Sequence, residues 1–422
     1  MPESSYRRVA VTGLGVVSPF EGNAQNFFDS MMHGRSAIRL YQHPLASQSL
    51  AVPAVYCDRF DAAQSVGRPL ANTMDRFSQL GGAAAFAAWE DAGLQIQGTD
   101  PGVGGNPRYG VSWGTGVGGT LTFEHGYREI MLNGRERVPP LSVVLAMNNA
   151  AASHVAIRLG LGGSCLTYSV ACASSAVAVG EAFQRIRSGQ DTIVIAGGSE
   201  APLSEAVVRA WDAMRVMASG DEETAPASCR PFHARRAGLV LGEGAAALVL
   251  EDWEHASRRN ARIYAELVGY GASCDHAHLV KPAAEGQSRA VRAALTQAEL
   301  APHDIGYVNA HGTATREGDP TEIGVLREVF GSAAEALPVS ATKSMHGHLL
   351  GATGAVEALV TVLAIHNASI PPTFNLDEVA EDCHGVRHVV GEGQRSKSLK
   401  AALSNSFAFG GSNVVLAFKQ VA

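Results

Sequence analysis

The chain has 422 residues, 46% hydrophobic and 17% charged, with 46 glycines and a net charge of −7. Such a composition suits a large, closely packed α/β enzyme and excludes a disordered or fibrous chain. The acidic balance excludes a global basic field for nucleic acid or membrane, so an acidic partner has to be met by a local basic patch. Six cysteines (57, 165, 172, 229, 274 and 383) form no CxxC pair, which argues against zinc and a disulfide scaffold and for a reducing, cytoplasmic setting. No apolar run approaches the ~18 residues of a membrane span. The charge-then-apolar order from Arg7 imitates a signal peptide, but Gly13 and Gly15 break it, and it reads as a first strand from Val9 and a turn.

Met74 to Leu94 has helical spacing, with Phe77, Leu80, Ala84, Ala88 and Trp89 along one side and Gly93 at the end. Tyr109 to Trp113 reads as a short strand feeding the glycine loop Gly114 to Gly119. Leu141 to Leu159 is alanine-rich and mostly helical. Cys165 to Val170 is rich in β-formers, and after it Ala176, Val179, Phe183 and Ile186 recur at three- and four-residue steps toward Gly189. Cys172 therefore falls at a strand-to-helix turn, where unpaired N–H groups and the helix dipole favour a thiolate. Its neighbours Ala171, Ala173, Ser174 and Ser175 are small enough to let a thioester approach. A lone cysteine is more often a small buried apolar residue, so the rest of the chain has to decide.

Thr192 to Ala196 and Ala245 to Glu251 read as buried strands. The charged stretch Glu254 to Arg262 marks a seam, dividing the chain into residues 1–255 and 256–422. In the second half Ile263 to Tyr270 is a strand, Ser288 to Ala298 a helix, and Ile305 to Ala310 a strand ending at His311. Asp319-Pro320-Thr321-Glu322 has the form of a capping box. Pro338 to Thr342 leads to Lys343, a helix from Gly351 buries Val356, Leu359, Val360 and Leu363, and Asn413 to Phe418 is the last strand. Two halves of alternating strands and helices point to a duplicated α/β fold.

Cys172, His311, and Lys343 with His348 share one position type, the downstream end of a buried strand, and such ends converge on the crevice of an α/β sheet. A thiol with two imidazoles suits thioester chemistry: the thiol takes an acyl group while the imidazoles donate hydrogen bonds to an enolate oxygen. His346 reads as a surface residue in a turn, and His276 with His278 lacks a third ligand for a metal.

Four stretches carry a family resemblance over nearly the whole length: Val170-Ala171-Cys172-Ala173-Ser174-Ser175; Asn309-Ala310-His311-Gly312-Thr313; Lys343 to His348 followed by Leu349-Leu350-Gly351-Ala352-Thr353-Gly354; and Asn405-Ser406-Phe407-Ala408-Phe409-Gly410-Gly411-Ser412-Asn413. The chain resembles the elongating β-ketoacyl-acyl carrier protein synthases of the thiolase-like superfamily. The Cys–His–His set sets it apart from initiating synthases, which use Cys–His–Asn, and from degradative thiolases, which use a second cysteine.

The resemblance implies a thiolase-like duplicated αβαβα layered fold, with the nucleophile in the first half and the histidines and lysine in the second. It implies that Cys172 is acylated by a carrier-protein thioester, with the N–H groups of Cys172 and Phe409 as oxyanion hole. His311 and His348 then stabilise the enolate formed by decarboxylation of malonyl carrier protein. Lys343 orients His311 or acts electrostatically on the carboxylate side, and Glu357 holds Lys343. Thr313 and Thr315 bind the pantetheine arm, Phe409 gates the acyl pocket and Val117 lines its far end. Carrier docking falls weakly to Arg76 and Arg215. No cofactor is bound; the phosphopantetheine comes with the acyl carrier protein. The partners implied are that carrier and a second subunit, as a homodimer or as a heterodimer with a chain-length partner.

The sequence departs from the family where Ala408 replaces glycine, His233 and Ala237 replace aspartates, Leu239 replaces phenylalanine, and Asn72 and Thr73 stand where basic docking residues are usual. These changes point to a dedicated carrier in a specialised pathway, polyketide or polyene assembly, with fatty acid biosynthesis as the other pathway the family serves. The alternative is a non-catalytic chain-length-factor-like subunit of a ketosynthase heterodimer; such subunits usually lack the cysteine.

Overall fold

The computed structural model describes residues 6–44, 49–95, 105–397 and 399–421. Its centre is built from β1 (Val9–Val17), β2 (Tyr109–Gly114), β3 (Cys165–Tyr168), β4 (Ile193–Glu200) and β5 (Gly244–Asp252). The second half supplies β6 (Ala265–Cys274), β7 (Tyr307–Asn309), β8 (Pro338–Ser340), β9 (Arg387–His388), β10 (Ala401–Phe407) and β11 (Ser412–Lys419). These strands are hydrogen-bonded in the order β9-β8-β7-β10-β11-β6-β1-β5-β4-β2-β3.

Read outward from the middle, the order repeats. In each half the first strand pairs antiparallel with the last, β1 with β5 and β6 with β11. The last pairs antiparallel with the strand before it, β5 with β4 and β11 with β10. Two parallel pairings follow, β4-β2-β3 in one half and β10-β7-β8 in the other. The halves join where β1 and β6 pair antiparallel, Val9 opposite Leu267.

The helices repeat as well. α1 (Arg76–Asp91) lies on β1, β5 and β4, and α3 (Ala284–Ala298) lies on β6 and β11 in the same way. α2 (Ser174–Arg187) and α5 (Thr353–His366) pack on each other between the two halves of the sheet, each touching strands of both halves, and α4 (Gly318–Phe330) packs on α3. The result is the layered αβαβα arrangement of the thiolase-like fold. α5 is buried from Thr353 through Ile365 and is apolar around nearly its whole circumference, as a helix packed against strands of both halves of the sheet must be. Removing one of its side chains, as in Leu359→Ala, costs about 2–5 kcal/mol in such a setting.

α2 and α5 meet end to end at their first turns. A Cβ on Gly354 would lie 2.7 Å from the backbone nitrogen of Ala176, so only glycine fits there. The Ser175 hydroxyl accepts the N–H of Ala355 at 2.8 Å, fastening the nucleophile's helix to the histidine's half. The strand and helix order expected from the sequence holds, with two local differences. The 141–159 segment breaks into helices Ser142–Ala146 and Ala150–Leu159, because Met147 takes an extended conformation. The expected capping box is absent: helix α4 starts at Gly318, and the side chains of Asp319 and Glu322 are spent on other loops. Among the described residues no helix is long and apolar enough to cross a membrane.

Candidate active site

Cys172 sits on a tight turn between β3 and α2. Ala171 just before it has φ 45°, a left-handed conformation that is unfavourable for any residue with a Cβ. The turn is held by Ser174, whose hydroxyl accepts the N–H of Val170 at 2.8 Å and donates to the carbonyl of Ala171 at 2.6 Å. It aims the thiol into a cavity of about 550 Å³ whose wall also includes His311 and His348. The sulfur and one ring nitrogen of each histidine all lie within 4.8 Å of one another. Two strand ends, those before Cys172 and His311, and the turn after the short helix Lys343–His346 therefore close on one point.

Burial pushes the Cys172 thiol up to about 11, against the pull of the Lys343 charge and of the N–H groups of Phe409 and Cys172 itself. This corrects the expectation of a resting thiolate. Cys172 lies ahead of the first helical residue, and desolvation in an almost closed site outweighs the helix terminus.

Lys343 is fully buried and donates to three groups: Oε1 of Glu357 at 2.6 Å, Nδ1 of His311 at 3.2 Å, and the carbonyl of His311. An ammonium has no acceptor, so Nδ1 of His311 accepts and its Nε2 carries the proton. His348 reaches the same tautomer by another route. Its Nδ1 accepts the N–H of Leu350 at 3.0 Å, which leaves the proton on Nε2, a buried atom with no partner. Burial, then the Lys343 charge, holds both imidazoles well below their usual range, so each is neutral. The rings stand at 88° with centroids 5.7 Å apart. Two neutral N–H donors and a thiol thus face one cavity.

Family models for the β-ketoacyl synthase N-terminal and C-terminal domains match residues 6–256 and 264–377. The chain belongs to the β-ketoacyl synthase family. It is an acyltransferase, a ketosynthase. Nodulation protein E of Rhizobium sp. (strain N33) is 40% identical over 98% of the chain and 100% of that protein. The 3-oxoacyl-[acyl-carrier-protein] synthase 2 of Staphylococcus aureus (strain N315) is 37% identical over 99% of each. Among solved structures, the ishigamide ketosynthase/chain length factor superposes with TM-score 0.90 at 30% identity, over 99% of this chain and 100% of that one. AntDE:AntF, a type II polyketide synthase acyl-carrier protein in complex with its ketosynthase, superposes with TM-score 0.88 at 29% identity over the same shares.

Against this ketosynthase frame the other expected residues divide. Thr313 and Thr315 line the cavity with their hydroxyls 3.0 Å apart. Phe409 lines it too, its ring stacked on Trp211 at 5.7 Å. Glu357 holds Lys343; burial pushes its carboxyl up to about 7 while the lysine pulls it down. Arg215 is exposed at the cavity's mouth. Val117 does not line this cavity; its N–H is bonded to Glu200. Arg76 is not a docking cation: its guanidinium is clamped by Glu243 at 2.8 Å and the carbonyl of Cys57 at 2.7 Å. His346 is buried rather than on the surface, packed on Phe27 and bonded to Thr342, and burial takes it down to about 3.

The departures from the family are absorbed locally. Ala408 is not among the residues with positive φ, so its methyl group meets no backbone penalty. His233 is buried and bridges the N–H of Arg235 to Asp377. Ala237 and Leu239 line the cavity, and Asn72 ends the short helix Arg68–Ala71.

Two buried carboxylates were not anticipated as site residues. Glu322 accepts the N–H groups of His311 and Gly312, each at 2.9 Å, and the side-chain amide of Asn405 at 3.0 Å. Glu200 does the same for the glycine loop, taking the N–H groups of Gly116 and Val117 and also that of Gly351, three residues beyond His348. Glu322 was visible in the sequence only as part of a helix start, and Glu200, four residues beyond the apolar run that ends at Ala196, gave no signal because one of its partners, Gly351, is remote in the chain.

Proposed function

We propose that this ketosynthase joins an acyl group carried on Cys172 to a malonyl unit delivered by acyl carrier protein, releasing CO2 and a 3-oxoacyl-carrier protein. The sulfur attacks the incoming thioester, the carrier thiol leaves with the proton, and the N–H groups of Cys172 and Phe409 receive the transient oxyanion. Removing one such donor costs about 3 kcal/mol of transition-state stabilisation. Loss of CO2 from the malonyl thioester leaves an enolate whose oxygen sits between the Nε2–H groups of His311 and His348. Its carbon attacks the acyl carbonyl, forming the carbon–carbon bond as the carbon–sulfur bond breaks and the thiol regains a proton. Phosphopantetheine enters only as part of the carrier substrate.

The observation that carries this reading is the pair of neutral imidazoles, each with Nδ1 occupied and Nε2–H directed at the thiol's cavity. Neutral donors can hold an enolate oxygen without surrendering a proton to it. The presence of Cys172, Lys343 and both histidines also weighs against a non-catalytic chain-length role. The halves fall at residues 1–255 and 256–422, and the cysteine usage fits a cytoplasmic enzyme.

The names of the relatives support a specialised pathway, polyketide or polyene assembly among them, and equally, through 3-oxoacyl-[acyl-carrier-protein] synthase 2, fatty acid synthesis. A second subunit is supported by β3, an edge strand of the sheet among the described residues, where Leu166 is 39% exposed, and by the helix Ala150–Leu159 that packs on it, where Ile157 is 75% exposed. A patch of that kind on a sheet edge marks an interface. The deciding experiment incubates the protein with acyl- and malonyl-loaded carrier and follows products by mass spectrometry. A 3-oxoacyl product and an acyl adduct on Cys172 are expected; turnover undiminished in Cys172→Ala overturns the reading.

A further inference from the structure

Phe409 is pinned by its ring rather than by its peptide. It sits in the turn between β10 and β11, where Gly410 and Gly411 take left-handed conformations, φ 84° and 76°. The hydrogen bonds of that turn belong to its neighbours. The N–H of Ala408 reaches the carbonyl of Ser412 at 2.8 Å, that of Gly411 the carbonyl of Ala408 at 3.1 Å, and that of Gly410 the carbonyl of Leu279 at 2.7 Å. Among the described residues the main chain of Phe409 makes no hydrogen bond to another main-chain group. Its N–H is turned to the sulfur of Cys172. Its ring lies almost parallel to the indole of Trp211, with 5.7 Å between centroids and 17° between planes.

Trp211 is the firmer partner. It lies near the end of the helix Glu205–Ala213, three residues beyond the fully buried Val208, and packs on the apolar cluster of Val208, Leu239, Leu241 and Leu350. Residues three apart on a helix share a face, so the cluster that buries Val208 also fixes the indole. The start of that helix is tied down as well: Glu205 accepts the guanidinium of Arg128 at 2.6 Å, and its N–H donates to Glu124 at 2.5 Å. Both rings line the cavity of Cys172. A chain of contacts thus runs from a buried cluster through two stacked rings to one N–H beside the nucleophile. An oxyanion donor works only when it is in place before the charge develops, and a displacement of about 1 Å costs a large factor in rate.

We infer that Trp211 is a positioning residue for acyl transfer to Cys172: its indole holds the N–H of Phe409 where the oxyanion of the first step forms. This rests on the ketosynthase reading. Without the stack, a residue followed by two glycines and carrying no main-chain bond of its own is free to shift, and its N–H then misses the oxygen. The sulfur keeps its other surroundings, so its reaction with an electrophile that forms no oxyanion is nearly untouched.

The test sets two reactions of Cys172 side by side in Trp211→Ala, Trp211→Leu and Trp211→Phe, both read by mass spectrometry. Acylation by saturating acyl-loaded carrier protein passes through an oxyanion; alkylation by iodoacetamide does not. Acylation is expected to fall about tenfold in Trp211→Ala and Trp211→Leu and to stay within about threefold of the wild type in Trp211→Phe, which keeps a ring to stack. Alkylation should stay within about threefold in all of them. Phe409→Leu should lower acylation by a similar factor, and joining it to Trp211→Leu should lower it little further, since both remove the same contact. Should Trp211→Ala fail to fold, the contrast between Trp211→Leu and Trp211→Phe decides. Acylation unchanged in Trp211→Leu overturns the inference, and so does faster acylation, because the ring pair would then obstruct the acyl group. A parallel fall of acylation and alkylation also overturns it, since the indole would then only keep the shape of the site. If the wild type is not acylated while Cys172 still reacts with iodoacetamide, the ketosynthase reading itself falls, and this inference with it.

Discussion

Lys343 holds His311 from two sides, through Nδ1 at 3.2 Å and through the residue's own carbonyl, while Glu357 at 2.6 Å holds Lys343. All of this lies out of reach of solvent, so breaking the ion pair strands a charge. Lys343→Ala should cost about 3–5 kcal/mol of stability. The double variant Lys343→Ala with Glu357→Gln should recover most of that loss in thermal unfolding while remaining inactive, because His311 has lost the group that sets its tautomer. Recovery of activity along with stability would remove Lys343 from the chemistry.

The two histidines act after the thiol has been loaded. His348→Ala should leave acylation of Cys172 within a few fold of normal and lower malonyl decarboxylation by about 10²–10³. Mass spectrometry reads the first step and release of labelled CO2 the second. Loss of acylation with decarboxylation intact would reverse the assignment.

Cys172 rests as a thiol. With its ionisation pushed up to about 11, the reactive thiolate fraction rises tenfold for each unit of pH below that value. Alkylation of Cys172 by iodoacetamide should climb steadily from pH 7 to 10 without a plateau. The linkage has a definite sign: the folded state keeps a proton that the unfolded thiol gives up near 9, so this group's contribution to stability declines above about pH 9. A plateau near pH 7 would show a thiolate already formed in the resting enzyme.

Glu322 takes both N–H groups of the His311–Gly312 turn. Glu322→Ala leaves two buried donors without partners, each worth about 1–3 kcal/mol. It should lower the melting temperature and cut decarboxylation more than acylation, whereas Glu322→Gln, which can still accept one of the two, should fall between it and the wild type. Equal loss of both half-reactions would mean that Glu322 supports only the fold.

The exposed apolar side chains next to β3 predict an interface in solution. Leu166→Asp or Ile157→Asp should shift the protein toward the monomer in sedimentation analysis. A wild-type monomer would contradict the expectation.

Much of the fold was legible because burial imposes a period. The continuous apolar run at Thr192 to Ala196 and the three- and four-residue spacing after Cys172 translate directly into β4 and α2. Breaks inside helical stretches were less legible, since Met147 is a good helix former and only its backbone shows the break. Corrections cluster where a polar residue's partner is remote in sequence. Arg76 looked like a free cation until Glu243 came beside it, 167 residues away, and His346 looked exposed until Phe27 covered it.

The amino-acid order alone determined which groups take part: one cysteine among small residues, two histidines and a lysine at the ends of strands, and two halves of matching element order. Those are local features, set by side-chain size and periodicity. Only the tertiary structure decided their chemical state. Ionisation and tautomer depend on burial and on partners such as Lys343 and Leu350, which approach through packing of the two halves and not through neighbouring positions in the chain.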